Sequence, residues 1–79
     1  MQSLIHYLLE THDPAALESK LNALLTPNEI AEMQRRLQIF ALLEAGVSQR
    51  EIAKQLGVGI ATVTRGSRAL KELKENEPK

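Results

Sequence analysis

The sequence predicts an all-α fold, a five-helix chain, from three observations. Runs alternating apolar and polar residues, as half-buried strands do, are absent. Alanine, leucine, glutamate, glutamine, lysine and arginine dominate, and these favour helix. Start and stop signals then punctuate the chain at Asp13-Pro14, Thr26-Pro27, Gly46, Ser48 and Gly57.

A first helix spans about residues 3–10 and breaks at Thr11-His12-Asp13-Pro14. Asp13 is a good N-cap and Pro14 suits the first helical position, so a second helix runs to about Leu25. Its apolar stripe is Leu17, Leu21, Leu24 and Leu25. Thr26 caps a third helix, with Pro27 first and Glu29 as capping-box partner. That helix ends near Ala45, and Gly46 is suited to a left-handed stop. Its Ile30, Met33, Leu37, Ile39, Phe40, Leu42 and Leu43 cover more than one stripe, so it needs several partners. A second subunit would supply one; the centre of a monomeric bundle is the plainer alternative. Ser48-Gln49-Arg50-Glu51 opens a short fourth helix ending at Gly57, and a fifth starts near Ile60 and passes Leu70. Residues 72–79 form a charged tail expected to fray.

The 79 residues allow one domain and a small core. The expected division is 1–47 as dimerisation core, 48–71 as a two-helix head and 72–79 as tail. Without cysteine there are no disulfides or thiolate metal sites. His6 and His12 lack partners at ligand spacing, so no metal is expected. The apolar stretch in residues 1–10 is too short to span a bilayer and has no basic residues before it, which reads as a cytoplasmic chain without membrane contact. Asp13 is the only aspartate and no nucleophile–base–acid set is suggested, so an enzyme is not expected. Gly57-Val58-Gly59-Ile60-Ala61-Thr62 imitates a dinucleotide-binding loop, but a capped helix precedes it where a strand should.

Formal net charge is zero, yet it is polarised. Residues 1–30 carry Glu10, Asp13, Glu18 and Glu29 against Lys20, a net −3. Residues 48–71 carry Arg50, Lys54, Arg65, Arg68 and Lys71 against Glu51, a net +4. A basic face for phosphates and a solvated helix surface fit this charge equally well.

The spacing within 48–71 is more specific. Two helices joined by about three residues with glycine in the turn are the helix-turn-helix signature. Ile52, Leu56, Val58 and Val63 fall where the helices must pack, Ala53 is small at their crossing, and Gly57 suits positive φ. An ordinary helical hairpin could mimic this. In a helix-turn-helix the second helix enters the major groove by its N-terminal end, here Gly59-Ile60-Ala61-Thr62-Val63-Thr64. Thr62 and Thr64 can hydrogen-bond bases or phosphates, and Ile60 and Ala61 can meet thymine methyls. Gly59 and its small neighbours let the helix lie close. Gln49, Arg50 and Lys71 are placed for phosphates. Gly66 inside the fifth helix costs about 1 kcal/mol relative to alanine, so either close packing or a ligand must offset it.

Ser48-Gln49-Arg50-Glu51, the run from Leu56 through Gly57, Val58, Gly59, Ile60, Ala61, Thr62, Val63, Thr64, Arg65 and Gly66 to Ser67, and Ala69-Leu70-Lys71 resemble the tryptophan repressor family. Leu25-Thr26-Pro27-Asn28-Glu29 and Arg36-Leu37-Gln38-Ile39 extend the resemblance upstream. It implies an intertwined homodimer that binds an operator in double-stranded DNA and represses transcription with L-tryptophan as corepressor. The indole would lie between Arg36 and Arg65, with Gly66 giving the ring room and Leu25 and Thr26 helping to hold the amino-acid end. Guanidinium planes suit that role, since they stack on indole and pair with carboxylates. Lys54 neighbours Ala53, which stands where the family has a basic DNA-contacting residue. Ala69 stands where the family has a serine contacting the ligand's amino group. The loop before Ser48 is one residue shorter than the family's, and its final helix has no counterpart after Lys71. A regulator of the same fold with no ligand, or another effector, is the main alternative. A protein-interaction module using the third helix is a further one.

Overall fold

The computed structural model describes residues 1–76. They form helices α1 (Gln2–Leu9), α2 (Pro14–Leu24), α3 (Pro27–Glu44), α4 (Gln49–Leu56) and α5 (Ile60–Glu75), with no strand among the described residues. The all-α expectation holds. No helix among these residues is long and apolar enough to cross a membrane.

Local capping chemistry sets most boundaries. The Asp13 carboxylate accepts from the Ala16 amide at 3.1 Å and opens α2. Thr26 and Glu29 make the complete reciprocal box at the start of α3. The Glu29 amide donates to Thr26 Oγ1 at 3.2 Å, and the Thr26 amide donates to Glu29 Oε1 at 2.9 Å. Ser48 Oγ accepts from the Glu51 amide at 3.2 Å and opens α4. After α3, Gly46 takes φ +86°, and Gly46 and Val47 donate back to the Leu43 and Leu42 carbonyls, both at 3.0 Å. This paired closure satisfies carbonyls that the helix end would otherwise leave open.

The expected frayed tail is corrected in part. α5 continues through residues 72–75 and ends on Asn76, whose amide donates to the Glu72 carbonyl at 3.1 Å. Glu72, Leu73, Lys74 and Glu75 are good helix formers, which outweighs their charge. Lys74 Nζ also reaches Glu44 Oε2 of α3 at 3.5 Å. Both side chains are about half exposed, so this pair contributes at most about 1 kcal/mol. The rest of that tail, residues 77–79, lies outside the described residues.

The chain divides into two compact units, Met1–Met33 and Gln34–Lys79, with the division inside α3. The N-terminal unit buries no side chain fully. Leu8, Leu21, Leu25 and Ile30 are half-buried, while Leu4, Ile5, Leu9, Leu17, Leu24 and Met33 are exposed. Lys20 Nζ of α2 donates to the Tyr7 carbonyl of α1 at 2.6 Å and stands 4.3 Å from the Tyr7 ring centroid. The cation thus meets both a carbonyl and a π face.

The C-terminal unit holds the core. Ile39 of α3, Ile52 of α4 and Val63 of α5 are fully buried and packed together, and Leu70 is nearly so. Leu42, Leu43, Val47, Ala53, Leu56 and Val58 close around them. Gly66 explains itself here: a Cβ on it would lie 2.8 Å from Ile39 Cγ2, inside van der Waals contact. That Ile39 methyl is a stiff β-branch in a buried side chain and cannot swing away. Gly66→Ala should therefore lower stability in urea unfolding, because overpacking of about 1–3 kcal/mol outweighs the roughly 1 kcal/mol gained in helix propensity. In an Ile39→Ala background the same change should become neutral or stabilising. Equal effects in both backgrounds would refute the contact.

Candidate nucleic-acid interface

The two-helix head is built from its turn outward. α4 ends on Gly57, at φ +67° and ψ +34°, a left-handed conformation that costs a residue with a Cβ about 1 kcal/mol or more. The Val58 amide donates back to the Ala53 carbonyl at 3.1 Å, and the Val58 side chain packs on the core. Gly59 returns to extended geometry, φ −72° and ψ 152°, and α5 begins at Ile60. Ile52 and Val63 lock the helices together across this turn, and Leu56, Val58 and Ala53 pack around them, as the spacing predicted. A polar tie joins them at their crossing. Thr64 Oγ1 donates to Gln49 Oε1 at 2.8 Å and lies 3.0 Å from the Ile60 carbonyl oxygen.

The residues expected to meet DNA fall mostly on the outside of this pair. Arg50, Lys54, Gly59, Ile60, Ala61, Thr64 and Lys71 are exposed, and Ile60 leaves 49% of its surface in water. Thr62 and Gln49 are half-buried. The Thr62 amide donates to the Gly59 carbonyl at 3.1 Å, while no side chain caps α5. With the Thr62 amide so engaged, the amides ahead of it at Ile60 and Ala61, together with the positive dipole end of α5, could meet an anion. Arg68 is a further base on this pair, beyond the contacts expected from the sequence. It is exposed on α5, one turn beyond Thr64 and one turn before Lys71. The helical interval of three or four residues was the available signal.

The residues expected at an amino-acid ligand divide between the units. Arg36, Arg65 and Gly66 belong to the C-terminal unit. Arg36 lies three residues before Ile39 on α3, and Arg65 precedes Gly66 on α5. Both arginines are exposed at the level of the whole residue, one on each of the two helices that bring Ile39 against Gly66. Leu25 and Thr26 belong to the N-terminal unit. Leu25 is the half-buried C-cap of α2. Thr26 accepts at Oγ1 and donates through its amide within the capping box, which still leaves its hydroxyl hydrogen. No group of three or more metal-ligating side chains occurs among the described residues.

Two helices locked by shared core side chains across a glycine turn, with exposed basic residues on both, fit the helix-turn-helix class. More particularly, the chain belongs to the Trp repressor family, matching it as "Trp repressor protein" over residues 1–79. It is 40% identical over 77 residues to the Trp operon repressor homolog of Vibrio parahaemolyticus, covering 96% of this chain and 75% of that protein. It is 48% identical over 61 residues to the homolog of Vibrio cholerae, covering 76% of this chain and 59% of that protein. The Vibrio vulnificus homolog is 50% identical over 60 residues, 75% of this chain and 58% of that protein. No solved structure gives a significant match to the chain.

The turn geometry carries a direct expectation. Gly57→Ala should cost about 1 kcal/mol or slightly more in chemical denaturation. Gly59→Ala, at a backbone geometry open to any residue and with no atom near its Cβ position, should cost little. The reverse order would show that the turn is closed differently.

Proposed function

We propose that this chain is a transcriptional repressor that binds double-stranded DNA as a homodimer, reading the major groove with the start of α5 and using L-tryptophan as corepressor. One observation carries the DNA reading: the locked α4–α5 pair keeps Arg50 and Lys54 of α4 and Arg65, Arg68 and Lys71 of α5 all exposed. Phosphates would engage those cations and the first amides of α5, while Ile60, Ala61 and Thr62 face base edges. The names of the Vibrio relatives, Trp operon repressor homologs, support the same reading.

The homodimer draws support from the apolar surface. Met1, Leu4, Ile5, Leu9, Leu24, Met33, Leu37 and Leu73 are all exposed, and six of the eight belong to the N-terminal unit, which has no fully buried side chain of its own. Burying them against a second copy is the economical remedy. Sedimentation equilibrium should give twice the 8.8 kDa of one chain; a single-chain mass at micromolar concentration would refute the dimer.

For the corepressor, the support is the resemblance that assigns Arg36 and Arg65 to an indole, together with their places on α3 and α5, the two helices that meet at Ile39 and Gly66. A regulator without ligand is favoured by one specific fact: Ile39 packing alone accounts for Gly66. Titration with L-tryptophan separates the two, because the chain has no tryptophan and any indole signal belongs to the ligand. A saturable fluorescence shift, abolished by Arg65→Ala, is expected. A flat titration of folded protein would leave the ligand-independent regulator.

DNA binding itself should weaken steeply with salt as counterions are released. Arg50→Ala should flatten the log–log slope by about two units for the dimer if each copy of this arginine neutralises one phosphate. Failure to retain any duplex at low salt would remove the DNA-binding reading.

A further inference from the structure

The sequence alone places Gln49 and Thr64 as separate DNA contacts. Their geometry distributes those roles differently. Thr64 has one hydroxyl hydrogen, and its shorter partner is Gln49 Oε1, at 2.8 Å. A phosphate oxygen only accepts, so Thr64 cannot donate to DNA without giving up that bond. The same bond holds the Gln49 carbonyl inward, against α5, and turns its amide nitrogen with two N–H donors away from Thr64. Gln49 is the first residue of α4, next to exposed Arg50, and meets α5 at Thr64, one turn past its start. That is where a backbone phosphate would lie if the DNA-binding reading holds, and this inference rests on it.

We propose that Gln49 supplies a phosphate contact through Nε2 and that Thr64 is its positioning residue, making no donor contact to DNA. The single hydrogen bond fixes the amide orientation in advance, so the donor face is not exchanged for the acceptor face on encounter. The Ile60 carbonyl, 3.0 Å from the same hydroxyl, is the competing acceptor. Were the hydrogen to move there, Gln49 would turn its amide nitrogen to Thr64 and its oxygen outward, repelling a phosphate. Thr64 therefore decides which end of the Gln49 amide faces the DNA.

The test is a double-mutant cycle of Gln49→Ala and Thr64→Val on a duplex recovered by the wild-type chain from a randomised pool. Valine keeps the shape of threonine and its helix propensity while removing the hydroxyl. Each single change should weaken binding about tenfold, and the double should bind no worse than Gln49→Ala. Thr64→Ser should retain wild-type affinity, and Gln49→Glu, which can accept from Thr64 but offers no donor, should bind worse than Gln49→Ala. In the free protein, Thr64→Val should move the Gln49 side-chain amide resonances toward those of a solvated glutamine, a readout independent of DNA. Multiplicative losses in the cycle, or unmoved Gln49 resonances, overturn the assignment while leaving DNA binding intact. Absence of any retained duplex overturns the DNA-binding reading and this assignment with it.

Discussion

Ile39, Ile52 and Val63, one side chain from each of α3, α4 and α5, are removed from water together, and the C-terminal unit is arranged around that contact. A core this small has little redundancy. Ile52 and Val63 hold the head as a pair, and Ile39 ties the pair to α3. Both turns are anchored to the same place, since Val47 follows the Gly46 stop and Val58 follows the Gly57 stop, and each packs on the cluster. The glycines let the chain reverse and the valines make reversal favourable, by burial of the residue just past each stop. Because burial is confined to one side of α5, the outer face from Gly59 to Thr64 remains largely in water.

The N-terminal unit differs in kind. It has capped helices and a lysine on a tyrosine, but no fully buried side chain. Capping fixes where α2 and α3 begin, each cap being worth about 1 kcal/mol. It cannot replace a core, because ordering each residue costs a comparable amount. Apolar residues in helical register without an internal partner fit the proposed pairing of two chains.

What the sequence revealed follows the range of the forces involved. Asp13, Thr26 and Ser48 bond within three residues of themselves, so their helix starts were legible one by one. Gly46 and Gly57 were legible for the same reason, as was the inward set of Ile52, Leu56, Val58 and Val63. The partner of Gly66 was not. It lies 27 positions away on another helix, and only the crossing brings Ile39 to it. The Gln49–Thr64 bond spans 15 positions and was hidden likewise. The extra turn of α5 was missed because charge was weighed above propensity, whereas Glu72, Leu73, Lys74 and Glu75 are individually good helix formers.

Gly66 also shows how a costly residue must be apportioned between explanations. A glycine inside a helix calls for compensation of about 1 kcal/mol, and a ligand and a neighbouring side chain can each provide it. Here the neighbour suffices, because the Ile39 methyl already occupies the space a Cβ would need. The glycine therefore adds nothing independent to the corepressor reading, which stands on the two arginines. Both are exposed at the level of the whole residue, one on α3 and one on α5. Guanidinium planes suit the faces of an aromatic ring, and the two arginines, unlike the glycine, are not already called for by the packing of Ile39.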